Sequence, residues 1–116
     1  MKPQIADYSD ILPVTCPCGI TRRAFVDPPN GICSLHRVEI KVNSETHYHK
    51  KLTEIYYFLE GEGRMELDGE LTEVRPGMSI FIPPGVKHRA VVKEGQKLVI
   101  LNFVTPPFDP GDEYFD

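Results

Sequence analysis

This sequence lacks the features that mark several broad classes of protein. Its three cysteines cannot all pair within one chain, which argues against a secreted scaffold stapled by disulfides. No uninterrupted apolar run approaches the length of a membrane span, and Met1-Lys2-Pro3-Gln4-Ile5-Ala6-Asp7 has no continuous apolar segment of the kind found in signal peptides. A cytoplasmic protein with no membrane partner is therefore expected. The net charge of −4 supplies no basic field, and Arg22-Arg23 and Lys50-Lys51 are isolated pairs, so no nucleic-acid partner is expected. Helical periodicity is nearly absent, as are internal repeats and low-complexity tracts. A chain of 116 residues has room for one domain with a modest core; its 41% hydrophobic content is low for a globular protein but far above that of a disordered one.

What the sequence does contain is alternation. Between Leu35 and Val104 apolar residues recur at period two in short runs, the pattern of an antiparallel barrel or sandwich. The expected strands cover residues 35–42, 46–49, 54–59, 64–67, 70–74, 79–82, 88–92 and 98–104. Turn residues separate them, and Asp68-Gly69 is the clearest case because Asp-Gly favours the type I′ turn that matches strand twist. About eight short strands imply a jelly roll. The proline-rich residues 1–34 read as an extended arm with one strand over 21–26 that pairs with a sheet edge, and residues 108–116 as a tail packed on the barrel through Phe108, Tyr114 and Phe115.

Within this frame the chemistry concentrates in two segments. His47 and His49 are two apart, so on a strand their rings project from one face toward one point. Lys50-Lys51-Leu52-Thr53 has the length of a hairpin connection, and an antiparallel return would bring the Glu54 carboxylate beside the two rings. Later, Pro83-Pro84-Gly85 stiffens and turns the chain just before His88. Imidazole suits Zn, Cu, Fe and Ni, and a carboxylate adds oxygen character suited to Mn or Fe.

Together these segments resemble the two conserved motifs of the cupin superfamily. His47, His49, Glu54 and Gly61 match the first motif; Gly77, Pro83, Gly85 and His88 match the second. Two positions depart from the pattern: Lys41 stands where the family has a glycine and Val92 where it has an asparagine, and neither is an expected ligand. The resemblance implies an all-β double-stranded β-helix or jelly-roll barrel over residues 35–107, a homodimer, and one divalent transition metal (Fe, Mn, Zn, Ni or Cu) held by His47, His49, Glu54 and His88. Such a set leaves about two positions open on a six-coordinate ion, which suits catalysis on a small oxygenated molecule of the dioxygenase or sugar-isomerase type. A non-catalytic small-molecule-binding or sensing cupin and a metal-free epimerase-like cupin are the alternatives.

Strand parity extends the site. If Glu54 points inward, so do Tyr56 and Phe58; if His88 does, so do Ala90 and Val92. Tyr56 is then the candidate polar group beside the substrate. His36 lies on the apolar parity of its own strand and reads as a pocket-wall histidine. Val38, Ile40 and Val42 are even while His47 and His49 are odd, so a turn or bulge is expected near Asn43-Ser44. Phosphate recognition would need a cationic cluster drawn from Arg22, Arg23, Arg64, Lys87 and Arg89, and the last two have opposite parity to His88. Cys16-Pro17-Cys18 lacks the two-residue spacer of zinc knuckles and reads as free thiols.

Overall fold

Alternation along the strands builds two facing layers. The computed structural model describes residues 1–16 and 18–116. Its strands are β1 (Val14–Cys16), β2 (Gly19–Ala24), β3 (Ser34–Ile40), β4 (Thr53–Gly61), β5 (Gly63–Leu67), β6 (Glu70–Val74), β7 (Ser79–Ile82), β8 (His88–Val91) and β9 (Leu98–Thr105). The larger sheet has the order β1-β2-β3-β9-β4-β7 and the smaller β6-β5-β8. Every pairing is antiparallel. The chain is all-β, in the two-sheet arrangement of a jelly roll, with one 3-10 turn at Tyr8–Asp10 and no α-helix among the described residues. Among the described residues no helix is long and apolar enough to cross a membrane.

The core forms where the layers meet. β4 buries Glu54, Tyr56 and Phe58 and exposes Ile55, Tyr57 and Leu59, while β8 buries His88 and Ala90. Phe58 from the large sheet and Met65 from the small one are both fully buried, beside Ile82, Leu98 and Ile100. Burial of each such side chain contributes about 1.5–3 kcal/mol. The motif glycine Gly61 has a steric cause: its φ is 88°, and a Cβ there would lie 1.9 Å from the Lys97 carbonyl oxygen. At the β5–β6 hairpin, Asp68 and Gly69 have φ of 48° and 87°, as a type I′ turn requires.

Three sequence expectations need correction. The strand over residues 46–49 is absent as a ladder; the segment makes only isolated bridges, His47 to His88 and Tyr48 to Tyr114. Just upstream, the side chains of Asn43 and Ser44 accept the amides of Val92 and Ala90, so the His47–His88 bridge does not extend into a ladder on that side. The strand expected over 21–26 runs Gly19–Ala24 and lies between β1 and β3 within the large sheet; Phe25, at φ 70°, breaks it. Third, Glu54 reaches the two histidines without a hairpin: β4 pairs with β7 and β9, yet its carboxylate still lies beside their rings.

Candidate metal centre

The candidate ligands come from separate parts of the fold. Glu54 is near the start of β4 in the large sheet, His88 opens β8 in the small one, and His47 and His49 lie in the β3–β4 connection. His47 and His88 exchange backbone hydrogen bonds of 3.1 and 2.9 Å. As directly opposed residues, they present their rings on the same side. Gly85, at φ 90°, donates its amide to the His49 carbonyl at 2.7 Å, so the turn of the second motif fastens the first. The link between His49 and β4 is organised from the far end of the chain. The buried Asp112 carboxylate accepts the amides of Lys50, Lys51 and Leu52, each at 2.9 Å.

The ring nitrogens divide their labour. In all three rings Nδ1 faces a backbone carbonyl: Glu45 for His47 at 3.0 Å, Asp112 for His49, and Val86 for His88 at 2.9 Å. Because Nδ1–H donates to each carbonyl, the neutral ring leaves its lone pair on Nε2. The Nε2 atoms of His49 and His88 each lie 3.1 Å from Glu54 Oε1, and one atom from each of the four residues lies within 4.8 Å of all the others. These three atoms are buried, and beyond one another none has a hydrogen-bond partner. Ligands about 2.1 Å from a metal and cis to one another sit about 3 Å apart, so the spacing and the orphaned atoms both fit a bound ion. The second Glu54 oxygen accepts from Asn102 Nδ2 at 2.7 Å, which sets the carboxylate's orientation.

The charges follow from this crowding. Burial would raise the Glu54 carboxyl, but His49 and His88 outweigh it and hold it below the usual carboxylate range. Burial would lower the His49 ring, yet the adjacent Glu54 lifts it to about 9. His47 is lowered by burial and by its neighbour His88. Without a metal, the cluster therefore retains an ionised carboxylate and a protonated His49, and an incoming cation displaces that proton.

A cavity of about 420 Å³ opens beside the cluster. Tyr56 and His36 line it, as parity predicted. Tyr56 packs edge-on to His88, ring centroids 6.2 Å apart, and burial followed by the Glu54 charge raises its phenol well above its ordinary value, so it is a neutral donor. The proposed cationic cluster does not assemble in the cavity: Arg89 pairs with Glu66, Lys87 lies over the Tyr48 ring, and Arg23 alone of the candidates lines the wall. The sulfurs of Cys16 and Cys18 sit 3.1 Å apart at the cavity wall, and hydrogen bonding from Cys18 pulls the Cys16 thiol down to about 6. No sulfur-based metal cluster occurs among the described residues.

Sequence reasoning missed Asn102 and Asp112. Asn102 was legible, as a polar residue on the apolar parity of Ile100 and Val104; nothing local distinguishes Asp112 from the other acids of the tail.

Comparison with known proteins agrees with this architecture. The family described as Cupin domain matches residues 35–104. An uncharacterised protein of Methanocaldococcus jannaschii is 37% identical over 117 residues, covering 97% of this chain and 94% of its own. Glucose-6-phosphate isomerase of Thermococcus gammatolerans is 37% identical over 75 residues, which span 59% of this chain and 39% of that protein. A crystal structure of a protein from Planctomyces limnophilus superimposes with a TM-score of 0.88 at 40% identity, covering 98% of this chain and 97% of that one. With the family matched across most of its length, and with a relative similar from end to end, this chain belongs to the cupin family.

Proposed function

We propose that this protein is a metal-dependent enzyme that holds one divalent transition metal (Fe, Mn, Zn, Ni or Cu) through His47, His49, Glu54 and His88 and acts on a small oxygenated molecule. The observation that carries this reading is the convergence of four ligand atoms within 4.8 Å, three of them buried and otherwise unpartnered. When bound, the metal supplies Lewis acidity or one-electron chemistry to substrate oxygens. The protein's own residues do the rest. Asn102 orients Glu54, the three backbone carbonyls hold the rings, and Tyr56 stands by as a neutral hydrogen-bond donor. The match to the Thermococcus isomerase supports sugar isomerisation as the reaction class, with O₂-dependent cleavage as the other branch.

The test is metal analysis of protein purified without chelator, followed by turnover of sugar and catechol panels with and without oxygen. One metal per chain and product formed anaerobically support the isomerase branch; substrate-dependent oxygen uptake selects the other. Absence of bound metal overturns the proposal, and metal with tight ligand binding but no product leaves a sensing module.

We further propose a cytoplasmic homodimer. Three unpaired thiols suit a reducing compartment. The outer face of the large sheet exposes Ile55, Tyr57, Leu59 and Phe81, and Ile55 lies directly opposite Phe81 in the β4–β7 register, an apolar patch suited to a second copy. Light scattering of wild type and F81K tests this: a dimer dissociated by F81K is expected, and a monomeric wild type removes the proposal.

A further inference from the structure

Away from the metal ligands, the same cavity contains a second group of unsatisfied polar atoms. Arg23 Nε, Thr21 Oγ1 and Asn102 Oδ1 are buried and lack hydrogen-bond partners, and all three residues line the cavity. Arg23 on β2 is directly opposite His36 on β3, and His36 is directly opposite Asn102 on β9, so the three side chains form one row across the inner face of the large sheet. Two strand spacings separate the ends of that row, about 10 Å between backbones.

Each member has a defined polarity. The Arg23 guanidinium has only donors, is stacked 4.0 Å over the Phe108 ring, and has no carboxylate within 4.0 Å among the described residues. Asn102 must direct Nδ2 at the Glu54 carboxylate, which accepts only, so its free oxygen is an acceptor waiting for a donor. His36 is held neutral by burial and by the Arg23 charge beside it, and its Nε2 is engaged by Ser34 Oγ at 2.9 Å. A ligand that completes this row carries an oxyanion for Arg23 and Thr21 and a hydroxyl for Asn102.

The charge balance narrows the oxyanion to a carboxylate. Arg23 is the sole lysine or arginine on the described cavity wall, whereas Glu45, Asp109 and Glu113 lie on the same wall. One guanidinium fork matches one carboxylate, while a phosphate dianion among these acids would need further cations. A divalent ion on Glu54 would leave the inner end of the cavity net positive, favouring a monoanion.

We infer that Arg23, Thr21 and Asn102 form a carboxylate-and-hydroxyl subsite, and that the substrate of the proposed metal enzyme is a small hydroxycarboxylate. This rests on the metal-dependent reading above, and on its isomerase branch the substrate is a sugar acid rather than a sugar phosphate.

The inference is tested by calorimetric titration of glycolate, malate, gluconate and salicylate, with sorbitol as neutral control and glycerol 3-phosphate as phosphate control. Each titration is run on metal-loaded and metal-free protein. At least one acid is expected to bind where sorbitol does not. R23Q should weaken that acid about 10- to 100-fold, R23K and T21V less, with metal content unchanged in all three. If R23Q fails to fold, R23K and T21V carry the same comparison. The subsite is overturned if no acid binds, if the variants bind like wild type, or if glycerol 3-phosphate binds more tightly than every acid. Loss of metal from the wild type would instead overturn the earlier reading, and the metal-free titrations would still decide the subsite.

Discussion

The two ends of the cavity use histidine in opposite ways. At the candidate metal end, His47, His49 and His88 each turn Nδ1 to a backbone carbonyl and leave Nε2 free for the shared cluster. At the other end, His36 directs Nε2 to the Ser34 hydroxyl and stacks edge-on against Phe108, with ring centroids 5.4 Å apart. Burial is common to both, so burial does not distinguish a ligand from a wall residue. What distinguishes them is the nitrogen that the surrounding structure leaves unoccupied. The electrostatics diverge accordingly. Burial with Arg23 beside it lowers His36 to about 4, whereas at His49 the Glu54 carboxylate overcomes burial and lifts the ring to about 9.

The sharpest break of this contrast comes from exchanging the ligands themselves. E54A and H88A are expected to lower metal affinity more than 100-fold, beyond the 10- to 100-fold typical of outer partners. H36Q should leave metal content unchanged, all read by metal analysis after dialysis. Next in size is the loop clasp. D112A leaves the amides of Lys50, Lys51 and Leu52, the last of them buried, without their shared acceptor, so a loss of about 2–4 kcal/mol in denaturant unfolding is expected, together with weaker metal binding as His49 loses its anchorage. A smaller effect is expected for N102A, which leaves Glu54 free to rotate. Metal affinity should fall about 10- to 100-fold, and unchanged affinity would show that Asn102 does not position the carboxylate.

The smallest effect concerns pH in metal-free protein. His36 folds with its pKa lowered from 6.5 to about 4, so the unfolded chain binds the extra proton between those values. Its contribution is present above pH 6.5 and is lost as pH falls toward 4. His49, raised from 6.5 to about 9, contributes in the other sense: its stabilisation is present below pH 6.5 and is lost as pH rises through 9. Thermal melts across pH should show both slopes. H36Q should flatten the acid one alone, and an unchanged acid slope in H36Q would assign it elsewhere.

Much of the site was legible because it follows local rules. Period-two parity placed Tyr56 and Phe58 with Glu54, and Ala90 with His88, on inward faces, since side chains alternate whatever the strand's partner. The irregularity near Asn43-Ser44 was legible as a parity conflict between β3 and the histidines. The partner of the His47–His49 segment was not. A hairpin with Glu54 is the shortest closure, but the segment bridges instead to His88 and Tyr114, and competition among distant strands has no signature in either segment alone. Arg23 shows the same limit from the other side. Its neighbour Arg22 also carries a guanidinium, and only the β2–β3 register decides which one faces the cavity.

The all-β class, the motif residues and the inward parity of the strands follow from covalent spacing and the two-residue repeat alone. Which nitrogen of each histidine is free, which distant carbonyl or carboxylate anchors it, and which cation reaches the cavity are set by the folded arrangement of the two sheets. Those outcomes depend on residues such as Asp112 and Asn102, separated from their partners by 62 and 48 positions, meeting only after both sheets have closed over a shared core.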